Sequence, residues 1–256
     1  EETELLEYLM NDSATKVICL YLESFVKGRL FFELAASSEK PIVVLKGGKS
    51  PLGAQASASH TASLAGNDDL IRGALKQARV YQADDFFEMV DIARTVEKNF
   101  LLQQPPHGKA RIAIVSYSGA AGIVTTDHIE ANGLTLAHLS PQTQKRLEEL
   151  SPTWMPVRNP VDYWPTIEKH GPALAYKHAI EALHEASEVD GIIVHLFAGF
   201  GISLLNMREI ISGIKKPRKP ILFWLIGPDK AREIARMALE EEGWSTFHEI
   251  HRTVKV

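Results

Sequence analysis

The chain has a single cysteine, Cys19, among 256 residues. No internal disulfide can form, and such sparse cysteine suits a reducing, cytosolic compartment. Cys19 sits in the apolar run KVICLYL, where it reads as a small buried hydrophobe. No apolar run approaches the roughly 18 residues that a membrane helix needs, and no signal-peptide pattern opens the chain. Charge of one sign is also lacking: the net charge is -4 and the isoelectric point is near 6.2. No basic run stands out, so nucleic acid is not an expected partner. No histidine has a metal-ligand spacing with partners, so no metal site is expected in this chain. His107, His128, His178, His184, His195, His248 and His251 receive no role.

What is present is the composition of a soluble globular protein, 45% hydrophobic and 23% charged. The opening EETELLEYLM has no initiator methionine and reads as a helix, so a piece of a longer protein is expected. Strand and helix patterns then alternate throughout. KVICLYLE, PIVVLKGG, RIAIVSY, VDGIIVHLFA and PILFWLIG are continuous apolar runs, as in strands buried on both faces. GRLFFELAASS, DDLIRGALKQA, DDFFEMVDIARTVEKN, SGAAGIVTTDHIEANG, SPQTQKRLEEL, GPALAYKHAIEALHEAS, LLNMREIISGIKK and DKAREIARMALEEEG read as helices. SPTWMPVRNPVDYWP reads as a proline-punctuated loop and WSTFHEI as a last short strand. This alternation predicts an α/β architecture with parallel sheets and helices on both faces. Pro105-Pro106 followed by Gly108 marks a boundary. Two flavodoxin-like domains are expected, at 1–104 and 109–256, the first incomplete at its N-terminus.

Three stretches could carry chemistry. The first is GGKSPLGAQASASHTASLAGND, read as a loop of small residues around His60 just after a strand. Ligands of open parallel sheets bind at strand carboxyl ends, and small residues let backbone amides approach an anion. A lone loop histidine is also compatible with a structural role. The second is Glu23, at the end of its strand and so on the same rim. A carboxylate that accepts one imidazole N–H fixes the tautomer and leaves the other nitrogen as a nucleophile. Equally, Glu23 could be a solvent-facing acid. The third is the turn SYSGAAG between strand and helix. Its residues Ser118, Gly119, Ala120, Ala121 and Gly122 could present amides to phosphate, or serve only as a turn. Asn159 and Asp162 in NPVDYWP read first as structural turn residues.

The stretch from PIVVLKGG to VDIA resembles the nucleoside-diphosphate-forming acyl-CoA synthetases, the ADP-forming acetyl-CoA synthetase branch of the succinyl-CoA synthetase superfamily. SHTASLAG is close to that family's S-H-T-G-A-L-A-G, with Ala62 and Ser63 departing from it. VICLYLESFVKGRLFFELA is similar to the family's strand with terminal Glu and following Gly-Arg-Phe helix. ARIAIVSYSGAAG through RNPVD resembles its next, ligase-CoA domain, whose turn is commonly Asn-Ala-Gly-Gly-Pro-Gly.

The resemblance implies an acid–thiol ligase. It would interconvert acyl-CoA, ADP and phosphate with carboxylic acid, CoA and ATP. His60 would carry the phosphoryl group, Glu23 would steady it, and Ser118 to Gly122 would face the phosphate. CoA, ATP/ADP and magnesium would be held mainly by a CoA-binding domain and an ATP-grasp domain or subunit outside this chain, in an oligomeric cytoplasmic assembly. This chain alone would then be inactive in the full reaction. The alternative is a non-catalytic ligand-sensing module of an acyl-CoA-dependent protein acetyltransferase, which would need neither His60 nor Glu23.

Overall fold

The computed structural model describes residues 2–61, 67–98, 108–199, 209–210 and 219–256, with side chains left out at 60 and 61. The chain divides into two compact units, Glu1–Asn99 and Phe100–Val256.

In the first unit a parallel sheet runs β1 (Ile18–Leu22), β2 (Ile42–Lys46), β3 (Tyr81–Ala83). The central strand β2 is buried along its whole length, as its unbroken apolar run requires. On one face Ile18, Leu20, Ile42 and Val44 pack against Leu6 of α1 (Glu2–Asn11), Phe31 and Ala35 of α2 (Gly28–Ser37) and Leu75 of α4 (Asp68–Gln77). The opposite face carries α5 (Phe86–Glu97), which packs over β2 and β3. Asp85 caps α5 by accepting from the Glu88 N–H, and Glu88 reaches back to the Asp84 N–H.

Two expectations fail here. Cys19 is exposed. It lies on edge strand β1, on the face where α5 covers chiefly β2 and β3. The stretch before His60 is helix, not loop: α3 spans Pro51–Thr61. Pro51 opens it, and the Ser50 hydroxyl accepts from the Gly53 N–H at 3.1 Å. Ala54, Ala56 and Ala58 then favour helix more strongly than the surrounding small residues favour a loop. Residues 62–66, the rest of that motif, lie outside the described residues.

The second unit is a six-stranded parallel sheet, ordered β5 (Thr135–Leu136), β4 (Arg111–Ser116), β7 (Gly191–Phe197), β8 (Ile221–Ile226), β9 (Ser245–Phe247), with β6 (Val161–Asp162) also on β4. The first strand lies between the second and the next long strand, which is the flavodoxin order with its switch point between β4 and β7. Ile112 and Ile114 face α6 (Gly119–Ala131) and α11 (Ile250–Lys255), through Ile129 and Val254. Ala113, Val115, Val194 and Phe223 face the other layer, where α9 (Pro172–Glu185) and α10 (Asp229–Glu241) supply Ala179, Ile180 and Leu239. The capped helix α7 (Pro141–Glu148) follows β5 as expected, with Ser140 accepting from the Thr143 N–H.

The segment read as a loop contains β6 and leads into α8 (Trp164–His170). α11 likewise follows the last strand, where no helix was expected. The helix expected at LLNMREIISGIKK lies almost wholly outside the described residues. Asn159 has the structural role read for it. β5 pairs with β4 at Arg111 and Ile112, and β6 pairs at Val115 and Ser116. Between these pairings the Asn159 side chain replaces the missing ladder. It accepts from the Ile114 N–H at 2.9 Å and donates to the carbonyls of Ile112 at 2.8 Å and Ala137 at 3.0 Å. No helix among the described residues is long and apolar enough to cross a membrane.

Candidate functional site

The β1–β2 register sets Leu22 opposite Lys46. Glu23 and Gly47 therefore leave the sheet side by side at its carboxyl rim. The Gly47 N–H donates to the Leu22 carbonyl at 2.9 Å. The Glu23 carboxylate accepts from the Tyr21 hydroxyl at 3.2 Å and from the Ser57 hydroxyl at 2.8 Å. A Cβ on Gly47 would come within 2.7 Å of the Tyr21 hydroxyl and 3.4 Å of Glu23 Cγ, so glycine is what lets this cluster close over the backbone. Gly48, at φ +69°, turns the chain into α3.

Ser57 is buried and lies on α3. Glu23 thus pins this helix to the sheet rim. Position 60 comes three residues later, on the same side of the helix by spacing. The His60 side chain itself lies outside the described residues. Among the described residues no group of three or more His, Cys, Asp or Glu side chains converges to hold a metal ion.

Two lysines complete the rim, and neither was singled out from the sequence. Lys46 is buried, and its amine donates to the Gly47 carbonyl. Burial holds its ammonium below the ordinary lysine range, with Lys49 adding to the shift and Asp68 and Glu23 opposing it. Lys49 pairs with Asp84 at 2.8 Å, just beyond β3. The signal was available: a lysine ending the run IVVLK contributes nothing to packing, and lysines are rarely buried without an electrostatic reason.

In the second unit, Ser118 to Gly122 form the start of α6. Ser118 is the N-cap, its hydroxyl 3.5 Å from the Ala121 N–H. Helix geometry leaves the N–H groups of Gly119 and Ala120 without intrahelical acceptors. Both glycines are needed for packing. A Cβ on Gly119 would lie 2.8 Å from an Asp162 carboxylate oxygen, and one on Gly122 would lie 2.9 Å from Pro160 Cβ. Asp162 therefore stands at the positive end of α6. Burial raises its carboxyl above the ordinary aspartate range, while the Trp164 N–H opposes the shift.

Behind the turn lies a buried network around His195. Its Nδ1 is 2.9 Å from the Ser116 hydroxyl and its Nε2 is 2.9 Å from the Thr125 hydroxyl. Ser116 donates to the Ser118 carbonyl, and Thr125 donates to the Ala121 carbonyl. With those protons committed, both hydroxyls offer the ring only lone pairs. A neutral imidazole has one N–H, so one hydroxyl must turn from its carbonyl to the ring. The tautomer of His195 is thereby tied to the turn that opens α6.

Burial pushes the His195 pKa down from 6.5 to about 4. Between those values the unfolded chain binds a proton here that the folded chain does not. Stability is therefore complete above pH 6.5 and falls as pH drops toward 4, by about 3 kcal/mol from this ring. Urea unfolding at pH 7 and pH 4 should show that loss, and His195→Gln should lack this component. Equal pH slopes in the two proteins would refute the assignment.

Residues 1–96 match the succinyl-CoA ligase like flavodoxin domain. The whole chain is 37% identical over 259 aligned residues to acetate–CoA ligase [ADP-forming] II of Archaeoglobus fulgidus, spanning 37% of that protein. Over 95% of its length it is 34% identical to the alpha subunit of acetate–CoA ligase [ADP-forming] II of Pyrococcus furiosus, spanning 52% of that subunit. The chain thus spans between a third and about half of these curated relatives. The solved acetyl-coenzyme A synthetase 1 of Ca. Korarchaeum cryptofilum, in complex with phosphate and ADP, superposes on the whole chain with a TM-score of 0.83 at 25% identity, over 54% of its own length. From end to end the chain is similar to ADP-forming acetyl-CoA synthetases, and its residues 1–96 match the succinyl-CoA ligase like flavodoxin domain.

Proposed function

We infer that this chain is the phosphoryl-relay part of an NDP-forming acyl-CoA synthetase, with residues 1–104 as the phosphohistidine-bearing domain and 109–256 as the ligase-CoA domain. The observation that carries this reading is the Glu23–Ser57 hydrogen bond, which anchors the helix bearing His60 to the sheet rim. In the relay, phosphate displaces CoA from the acyl-CoA, giving acyl phosphate and free thiol. An imidazole nitrogen of His60 then attacks phosphorus, and the P–O bond to the acyl group breaks to release the carboxylate. A terminal oxygen of ADP finally takes the phosphoryl group from nitrogen, giving ATP and restoring the ring.

Each chain residue has a part in this scheme. Glu23 orients and neutralises the imidazolium. Lys46 and the amides that follow it supply positive potential for the phosphoryl oxygens. The start of α6, Ser118 to Gly122, would present its free amides to inorganic phosphate. Such transfer depends on positioning and charge neutralisation. The family resemblance assigns nucleotide, magnesium and most of CoA to an ATP-grasp domain or subunit and a CoA-binding domain, within a cytoplasmic oligomer.

The full-length protein with its partners should form ATP from acyl-CoA, ADP, phosphate and magnesium. The 256-residue chain alone should not. A folded full-length protein that makes no ATP from any acyl-CoA tested, yet alters a fused or added acetyltransferase, would replace this reading with the sensor alternative.

A further inference from the structure

A phenylalanine at position 21 would pack as well as the tyrosine that is there. Tyr21 is exposed, on strand β1 at the edge of the first sheet. Its ring lies against Phe86, with centroids 5.6 Å apart and planes inclined at 32°. Phe86 opens α5, whose start is fixed by the Asp85 and Glu88 caps, so the ring is braced from a settled helix end. What the hydroxyl adds is a bond to Glu23. Residues two apart in extended chain share a face, which brings the phenol beside that carboxylate. The space above Gly47 is kept clear for it, since a Cβ there would stand 2.7 Å from the hydroxyl.

The two Glu23 oxygens are held from different elements. Oε1 accepts from Tyr21 on the sheet at 3.2 Å, and Oε2 accepts from Ser57 on α3 at 2.8 Å. One donor fixes one oxygen. A second donor on the other oxygen defines the plane of the carboxylate. Lys46 of β2 is the charged group that faces Glu23 from the neighbouring strand, and Asp68 of α4 and Lys49 act on Lys46 in turn. Burial, together with the bond to Glu23 and its charge, pushes the Tyr21 phenol above the ordinary tyrosine range. The phenol therefore keeps its proton and remains the donor.

We propose that Tyr21 is a positioning residue for phosphoryl transfer at His60, its hydroxyl holding the Glu23 carboxylate ionised and in one orientation. Tyr21 acts only through that carboxylate. A hydrogen bond to an ionised acceptor favours the charged form and restricts its rotation. Both effects serve a group that must orient an imidazole and then stand opposite its positive charge. The assignment rests on the phosphohistidine reading of the first unit and deepens it.

The test is a double-mutant cycle on the complete enzyme, labelled from radiolabelled ATP and magnesium over a range of pH. The four proteins are the parent, Tyr21→Phe, Glu23→Gln and the double variant. Phenylalanine keeps the ring against Phe86, so the fold should survive, as melting temperatures would verify. Tyr21→Phe should slow labelling about ten-fold, the low end for a hydrogen bond to a charged group. Its rate should also begin to fall at a higher pH on the acid side, because a carboxylate that loses a donor binds its proton more tightly. In the Glu23→Gln background the same change should cost less than about two-fold and leave the pH profile unmoved. The titration of His60 is common to all four proteins and drops out of the comparison. Equal slowing in both backgrounds would make Tyr21 a packing residue and overturn the proposal, as would full-speed labelling of Tyr21→Phe. Either result leaves His60 labelled and the relay intact. A folded parent that takes no label would end the relay, and the positioning role with it.

Discussion

Incubated with radiolabelled ATP and magnesium, the complete enzyme should acquire an acid-labile, base-stable phosphate, and His60→Ala should abolish it. Loss of label in that variant cannot be blamed on the fold, because alanine is the strongest helix former and position 60 lies in the last turn of α3. Glu23→Gln should be a graded version of the same experiment. The amide oxygen can still accept from Ser57, so the helix stays anchored, while the charge that steadies an imidazolium is gone. The rate of labelling should fall by about 100-fold, the lower range for a single acid–base or electrostatic group. Ser57→Ala removes the anchor and keeps the charge, so its effect should be smaller. Full labelling of His60→Ala would move the phosphoryl carrier to another residue and end the proposed relay. Normal labelling of Glu23→Gln would leave His60 in place and reduce Glu23 to a structural acid.

How much of this was legible in the sequence depends on which physical force set each feature. Strand runs such as IVVLK and RIAIVS were readable because both faces of a parallel sheet are covered, and burial leaves an unbroken apolar signature. Caps at Asn67, Asp85 and Ser140 are legible because a side-chain oxygen must meet an orphan N–H, whereas the cap role of Ser118 was not read from its turn. Cys19 was misread because alternation within KVICLYL was hidden by residues that are apolar on both faces. Which face of β1 is covered depends on where α5 packs, a tertiary fact. The stretch before His60 was misread because small residues suit a loop and a helix alike. The Ser50 cap and three alanines decide for helix, and the Glu23–Ser57 bond that holds it spans 34 positions. Helix α8 was concealed by the prolines around it, although Pro165 sits where a helix tolerates proline best. Lys46 could have been found, since a charged end to a buried strand asks for an explanation. The His195 network could not, because Ser116, Thr125 and His195 meet only through sheet and helix packing.

The largest loss of stability is expected from Gly227→Ala. Gly227 follows β8 at φ +130°, a backbone region that side chains rarely adopt. A Cβ there would lie 2.0 Å from the Ala198 carbonyl oxygen and 3.0 Å from its carbonyl carbon. Neither atom is the far end of a flexible side chain. Ala198 is buried, and its own N–H donates to the Ile226 carbonyl at 2.6 Å, so the two strand ends are locked together at this point. Relief requires the strand end to move, and the backbone strain remains. A cost on the order of 4 kcal/mol follows, which lowers the melting temperature by roughly 8–16 °C in a domain of this size. Gly243→Ala is the control that separates the two causes. Gly243 also has positive φ, at +88°, but a Cβ there meets nothing within 4 Å. It should cost about 1 kcal/mol, the strain alone. If the two variants melt within about 2 °C of each other, close backbone approach is not what fixes Gly227.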